Sequence, residues 1–278
     1  MSLFIASLNS GSNGNCYYIG NEQEAILVDA GICCREIEKR MSRLGLSLKK
    51  VKAIFVSHEH SDHISGINVL AKKYQLPVYV TEGTQKHCRL RLDKHLIFRF
   101  SPYQPIYVGG LSITAFPKFH DACDPHSFIV ASTSVKVGIF TDIGLACPHV
   151  IHHFRQCHAA FLEANYDEDM LMNGSYPYYL KKRIMSDNGH LSNVQALQLA
   201  LAHKSSMMSL LLLSHLSENN NCPKLVEDLF TQRLAKLQII IASRYEETAV
   251  YHITNERVVH ARRKIIHRHH SQYQLSLF

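Results

Sequence analysis

The chain has 278 residues, 46% of them hydrophobic and 19% charged. That is the balance of a soluble globular protein with a sizeable core, and it excludes a disordered chain, a collagen, a coiled coil, a disulfide miniprotein and a membrane channel. Thirty Lys and Arg against 23 Asp and Glu leave a formal charge of +7, which suits a polyanionic partner as well as an ordinary solvated surface.

In chain order, apolar runs at 3–8, 16–19 and 25–28 read as strands. Between the first two lies Asn9-Ser10-Gly11-Ser12-Asn13-Gly14-Asn15, a turn that also suits close approach of a substrate backbone. Residues 35–44 have the spacing of an amphipathic helix closed by Gly45, 53–56 that of a buried strand, and 64–74 that of a helix. Strands follow at 78–80, 97–100, 111–116, 127–131 and 136–140. The pattern then repeats in kind: strand 160–163, helix 193–203, strand 208–214, helix 223–234, strand 237–242. Two strand-rich halves with interspersed helices predict an α/β fold of four layers, two packed sheets with helices outside. Residues 1–260 are expected to form this domain, and 261–278 a flexible basic tail. The start has no basic, long apolar run of a secretory signal. The eight cysteines include no CxxC. Reduced thiols in a cytoplasmic protein are therefore expected, and a thiolate zinc site is not.

The sharpest signal is His58-Glu59-His60-Ser61-Asp62-His63, between a strand and a helix. Three imidazoles and a carboxylate in six residues do not pack as apolar filler, and on a turn they can surround one centre. Mixed nitrogen and oxygen donors suit zinc, manganese or iron better than calcium. Six residues cannot complete two coordination spheres, so later donors are needed. His120, Asp142 and His215 each stand at the C-terminal end of an apolar run.

This order of elements, HxHxDH and then His, Asp and His, resembles the metallo-β-lactamase superfamily. The resemblance implies an αββα sandwich with a dinuclear site in a groove at one edge. His58, His60 and His120 would hold the first divalent ion, Asp62, His63 and His215 the second, and Asp142 would bridge them. Asp29, in Leu27-Val28-Asp29-Ala30-Gly31, would orient a ligand histidine, although a turn after a strand also favours Asp. His60 stands where the oxygen- and nitric-oxide-reducing diiron relatives carry Glu, which implies hydrolysis. The 9–15 loop, Leu162-Glu163-Ala164-Asn165-Tyr166-Asp167 and Gly189-His190-Leu191-Ser192-Asn193 look like the YycJ/WalJ-like group, implied to be 5′–3′ DNA exonucleases. Tyr166 departs from that group, where many members have His.

A dinuclear site suits a phosphodiester: it makes hydroxide at neutral pH, clamps a phosphate oxygen and stabilises the departing oxyanion. Asp62 and His190 are the expected catalytic residues, His190 touching the scissile phosphate or giving its proton to the leaving oxygen. Lys181, Arg183 and Lys118 are candidates for the DNA backbone. Ser192 and Asn193 read better as a helix cap. The tail carries a basic run from Arg262 to His270 and ends Gln274-Leu275-Ser276-Leu277-Phe278. That ending resembles the pentapeptide that docks on the bacterial DNA sliding clamp, with Gln274, Leu275, Leu277 and Phe278 as the contacting residues. Taken together, the sequence reads as a cytoplasmic exonuclease with two divalent ions (zinc or manganese, with iron also compatible) acting on DNA 5′ ends, with no membrane partner. An RNA-processing nuclease, an ester or thioester hydrolase, and a clamp- or DNA-associated protein with a non-catalytic metal site remain as alternatives.

Overall fold

The structure is a computed structural model that describes residues 2–256 and 259–260. Gln274, Leu275, Leu277, Phe278 and the basic run lie outside the described residues. The first sheet contains β1 (Leu3–Asn9), β2 (Cys16–Gly20), β3 (Ala25–Val28), β4 (Val51–Phe55), β5 (Val78–Val80) and β6 (Ile97–Arg99). The second contains β7 (Ile106–Val108), β8 (Leu111–Pro117), β9 (His126–Ala131), β10 (Lys136–Phe140), β11 (Ala159–Glu163), β12 (Leu210–Ser214) and β13 (Gln238–Ile241). The chain then returns to the first sheet as β14 (Tyr251–Ile253) and β15 (Val259–His260). The strand orders are β15-β14-β1-β2-β3-β4-β5-β6 and β13-β12-β11-β10-β9-β8-β7. Each sheet is antiparallel on one side and parallel on the other, β3 to β6 in one and β10 to β13 in the other.

The helices are α1 (Cys34–Arg43), α2 (Ser61–Ile64), α3 (Ile67–Tyr74), α4 (Glu82–His87), α5 (Pro148–Phe154), α6 (Glu168–Asn173), α7 (Tyr178–Ile184), α8 (Asn193–His203) and α9 (Pro223–Arg233). Three apolar cores separate the four layers. Along β12, Leu210 and Leu212 face the core between the sheets, while Leu211 and Leu213 face the one beneath α5, α8 and α9. Along β3, Ile26 and Val28 point to the inter-sheet core and Ala25 and Leu27 to the core under α1 and α3. This is the period-two alternation of a strand, here apolar on both faces because both are covered. Among the described residues, no helix is long and apolar enough to cross a membrane.

The helix expected at 64–74 is two pieces. The chain bends at Gly66, whose hydrogen lies so close to the Ile32 carbonyl that a Cβ would stand 2.0 Å from that oxygen. The first piece, α2, starts inside the histidine motif and carries Asp62 and His63.

Candidate metal centre

The donors occupy one rim of the sandwich. Asp29 follows β3, the histidine motif follows β4, and His120, Asp142 and His215 follow β8, β10 and β12. All five strands run the same way within their sheets, so these ends lie together, where open α/β sheets place their sites. Asp29, Asp142 and His215 have φ of 60°, 55° and 58°. This left-handed conformation costs a non-glycine residue roughly 1–2 kcal/mol. It turns each side chain away from the strand direction, and such strain collects at functional sites.

Candidate ligand atoms of His58, His60 and His120 lie within 4.8 Å of one another, and so do those of Asp62, His63, Asp142 and His215. The other ring nitrogens are set by acceptors. His63 Nδ1 lies 2.6 Å from Asp29 Oδ2 and His120 Nδ1 3.1 Å from the Gly189 carbonyl. Ser57 donates to Asp29 Oδ2 at 2.7 Å, so its oxygen accepts from His58 Nδ1 at 2.9 Å. Asp29 therefore sets the tautomer of two histidines, one directly and one through Ser57. In each case Nε2 is the nitrogen left for a metal ion.

These nitrogens face other acceptors. His63 Nε2 is 3.2 Å from Asp142 Oδ2 and 3.4 Å from Asp62 Oδ2. His215 Nε2 is 3.5 Å from both Asp62 and Asp142, and His120 Nε2 is 3.3 Å from His60 Nδ1. His58 Nε2, Asp142 Oδ2 and His215 Nε2 are buried without a hydrogen-bond partner among the described residues. Acceptor against acceptor in a buried site is repulsive unless positive charge lies between them. The donor set thus fits divalent cations.

The electrostatic field has the same sign. Burial holds His58 well below its usual value, with His63 and Lys118 adding to the effect, and brings His120 down to about 3. Both are neutral ligand-ready imidazoles at neutral pH. At His63 burial is outweighed by Asp142, Asp29 and Asp62, which hold the imidazole well above its usual value. At His215 burial is outweighed by Asp142, Asp62 and Glu163, which lift it to about 10. The carboxylates favour cationic charge where the second cluster converges.

Sequence reasoning missed Glu163 as a site residue. Its carboxylate is fully buried and accepts from Ile143 N–H at 2.7 Å, His190 Nδ1 at 2.8 Å and His215 Nδ1 at 2.9 Å. It is the counterpart of Asp29 in the second sheet. Burial opposes its charge, but His190 and His215 hold it down at about 2. The one available signal was its place as the last residue of an apolar strand. Asn15 was missed as well. Its amide lies 3.1 Å from Asp62 Oδ2 and 3.1 Å from His63 Nε2, so the 9–15 loop serves the centre.

His190 is 20% exposed and borders a groove of about 210 Å³ with His215, Tyr176 and Arg183. Arg183 pairs with Asp121 at that groove. The Lys181 ammonium donates to the Met172 and Gly174 carbonyls at 2.7 Å each and closes the end of α6. Lys118 is buried and donates to the Thr141 carbonyl at 2.7 Å, which holds it away from a substrate. Ser192 caps α8 in a capping box with Gln195. Tyr166 is buried and joins Ser192 through a backbone bridge.

The beta-lactamase superfamily domain matches residues 24–215, well over half of the chain and all the donors. The chain belongs to the beta-lactamase superfamily. Within it, this is a YycJ/WalJ-like protein of the metallo-β-lactamase fold. It is 34% identical over 250 residues to exodeoxyribonuclease YycJ of Bacillus anthracis, covering 88% of this chain and 94% of that one. It is 30% identical over 239 residues to exodeoxyribonuclease WalJ of Streptococcus pneumoniae, covering 84% and 88%. The metallo-β-lactamase fold protein YhfI of Bacillus subtilis superposes with a TM-score of 0.71 at 17% identity, covering 91% of this chain and 100% of that one. At that identity the likeness establishes the fold alone.

Proposed function

We propose that this superfamily member is a metal-dependent exodeoxyribonuclease that removes nucleotides from the 5′ end of DNA. The reading is carried by a set of convergent donors in a chain similar over more than four-fifths of its length to proteins named exodeoxyribonuclease. His58, His60 and His120 would hold one divalent ion and Asp62, His63 and His215 a second, with Asp142 a donor available to both. When bound, zinc, manganese or iron supplies positive charge to a phosphodiester oxygen and activates water.

The chain's own groups do the rest. Asp29 and Glu163 fix the ring orientations of His63 and His215. Glu163 also accepts from His190 Nδ1 at 2.8 Å and so orients its ring. His190 touches the scissile phosphate or gives a proton to the departing oxygen. Arg183, at the same groove, meets the backbone phosphate as a bidentate donor. All eight cysteines are free, which fits a cytoplasmic location.

The test uses 5′- and 3′-labelled DNA and RNA with Mn²⁺ or Zn²⁺ and an Asp142→Asn control. Mononucleotide release from the DNA 5′ end, lost in the control, is expected. Cleavage of RNA alone, or equal activity of the control, overturns the reading.

A further inference from the structure

A second cavity, of about 280 Å³, lies beside the metal groove. Leu216 and Ser217 line both, immediately after His215. The cavity continues onto Ser10 and Ile241 and ends on Arg244 and Tyr245. Ser10 is fixed in turn, since its hydroxyl accepts from the His215 backbone N–H at 2.8 Å.

The loop that carries Tyr245 is rigidly anchored. Ser10 N–H donates to the Ser243 carbonyl at 3.1 Å and Thr248 N–H to the Ser7 carbonyl at 2.9 Å. The Arg40 guanidinium, 6% exposed, donates to the Tyr245 carbonyl at 3.0 Å and to the Leu8 carbonyl at 2.7 Å. A buried cation thus ties the backbone beneath Tyr245 to the end of β1. The Tyr245 side chain is nonetheless 71% exposed, and its hydroxyl donates to Glu218 at 2.9 Å. Beside it, Arg244 Nη2 donates to Ser12 at 3.1 Å, and Nη1 lies 3.3 Å from the same Glu218 carboxylate.

The chemistry is specific. A fixed aromatic face, aliphatic walls and a hydroxyl rim accept a flat heterocycle. An isolated exposed tyrosine is ordinary. This one shares a wall with a groove proposed to hold a phosphodiester. We propose that the cavity is a nucleobase subsite: the base next to the scissile phosphate stacks on Tyr245. This rests on the nuclease reading. The base must leave its duplex partner to enter, so single-stranded and frayed ends are better substrates than blunt ones.

The test crosses the protein with the substrate. Single-stranded 5′-labelled DNA carries one abasic residue at the first, second or third position, and is digested by the intact protein, Tyr245→Ala and Tyr245→Phe. Stacking of one base leads to about a tenfold loss of kcat/KM in Tyr245→Ala on intact DNA, mainly through KM, with Tyr245→Phe near the parent. At one position the abasic residue costs a similar factor, and the two losses together cost no more than either alone. Losses that multiply at all three positions, or a Tyr245→Phe as impaired as Tyr245→Ala, overturn the subsite while leaving the nuclease intact. Failure of the parent protein to cleave any of these DNAs overturns both readings together.

Discussion

Glu163→Gln changes one atom and should disarm a metal ligand two bonds away. One carboxylate oxygen accepts from Ile143 N–H at 2.7 Å, and the other lies 2.8 Å from His190 Nδ1 and 2.9 Å from His215 Nδ1. A glutamine can keep only one acceptor oxygen. If its NH2 faced Ile143 N–H, also 3.4 Å from Leu191 N–H on that side, buried donors would oppose one another at about 1–3 kcal/mol each. The oxygen therefore stays there, and the NH2 faces the two imidazoles. Each must then accept at Nδ1 and carry its proton on Nε2. For His215 that is the atom presented to Asp62 and Asp142, so its lone pair is lost to a metal. Loss of such an orienting partner weakens metal affinity or activity about 10–100-fold, roughly 1.4–2.7 kcal/mol. Chelator competition with Mn²⁺ or Zn²⁺ reads the affinity, and long-range ¹H–¹⁵N spectra read the tautomer of His215. A folded Glu163→Gln protein with parental affinity and an unchanged His215 tautomer would refute the reasoning.

Further outcomes follow from the packing and the charges. A Cβ at Gly31 would lie 1.6 Å from the Asp62 carbonyl oxygen, which also accepts from Asn15 N–H at 2.6 Å; Gly31→Ala should displace the α2 loop, cost roughly 1–3 kcal/mol by denaturant titration and weaken metal binding, and a parental metal affinity would contradict this. Leu212, fully buried between the sheets, should cost about 2–5 kcal/mol as Leu212→Ala with the rate per folded molecule unchanged. His153 stacks on Phe116 at 4.2 Å, and burial, reinforced by His152, Lys136 and His149, holds it down at about 4. Unfolded, it binds a proton near 6.5, so stability should fall as pH drops from about 6.5 to 4. The limit is roughly 3 kcal/mol, and solvent screening of a half-buried group leaves about 1–2. His153→Gln should remove that part of the pH dependence, and an unaltered acid profile would count against it.

The donors were legible because their chemistry resists any other use. No apolar core accepts His58, His60, Asp62 and His63 in one turn, and β3, β8, β10 and β12 are apolar enough to announce where they end. Glu163 was hidden by the same logic: a single carboxylate after four apolar residues looks like the edge of a strand. Only the pairing of β11 with β10 and β12 places it between His190 and His215. Lys118 shows the converse. Charge suggested DNA, but the Thr141 carbonyl after β10 takes its buried ammonium group. The short strands β7 and β14 and helices α4 to α7 carry too few residues for a periodic signal. Pairing with longer neighbours decides the strands, and packing against β10 decides α5. The four layers followed from the two strand-rich halves, whereas the return of β14 to the first sheet is a long-range pairing with β1 that no local pattern encodes.

The most direct measurement is the number of divalent ions bound per chain, by elemental analysis of protein dialysed against Mn²⁺ or Zn²⁺, for the parent and for Asp142→Ala. Two donor clusters, one holding Asp142 and the other reaching to 3.8 Å from it through His120 Nε2, predict two ions per parent chain and a clear loss in the variant. A folded parent that retains none, or a variant that keeps the parental number, would contradict the account.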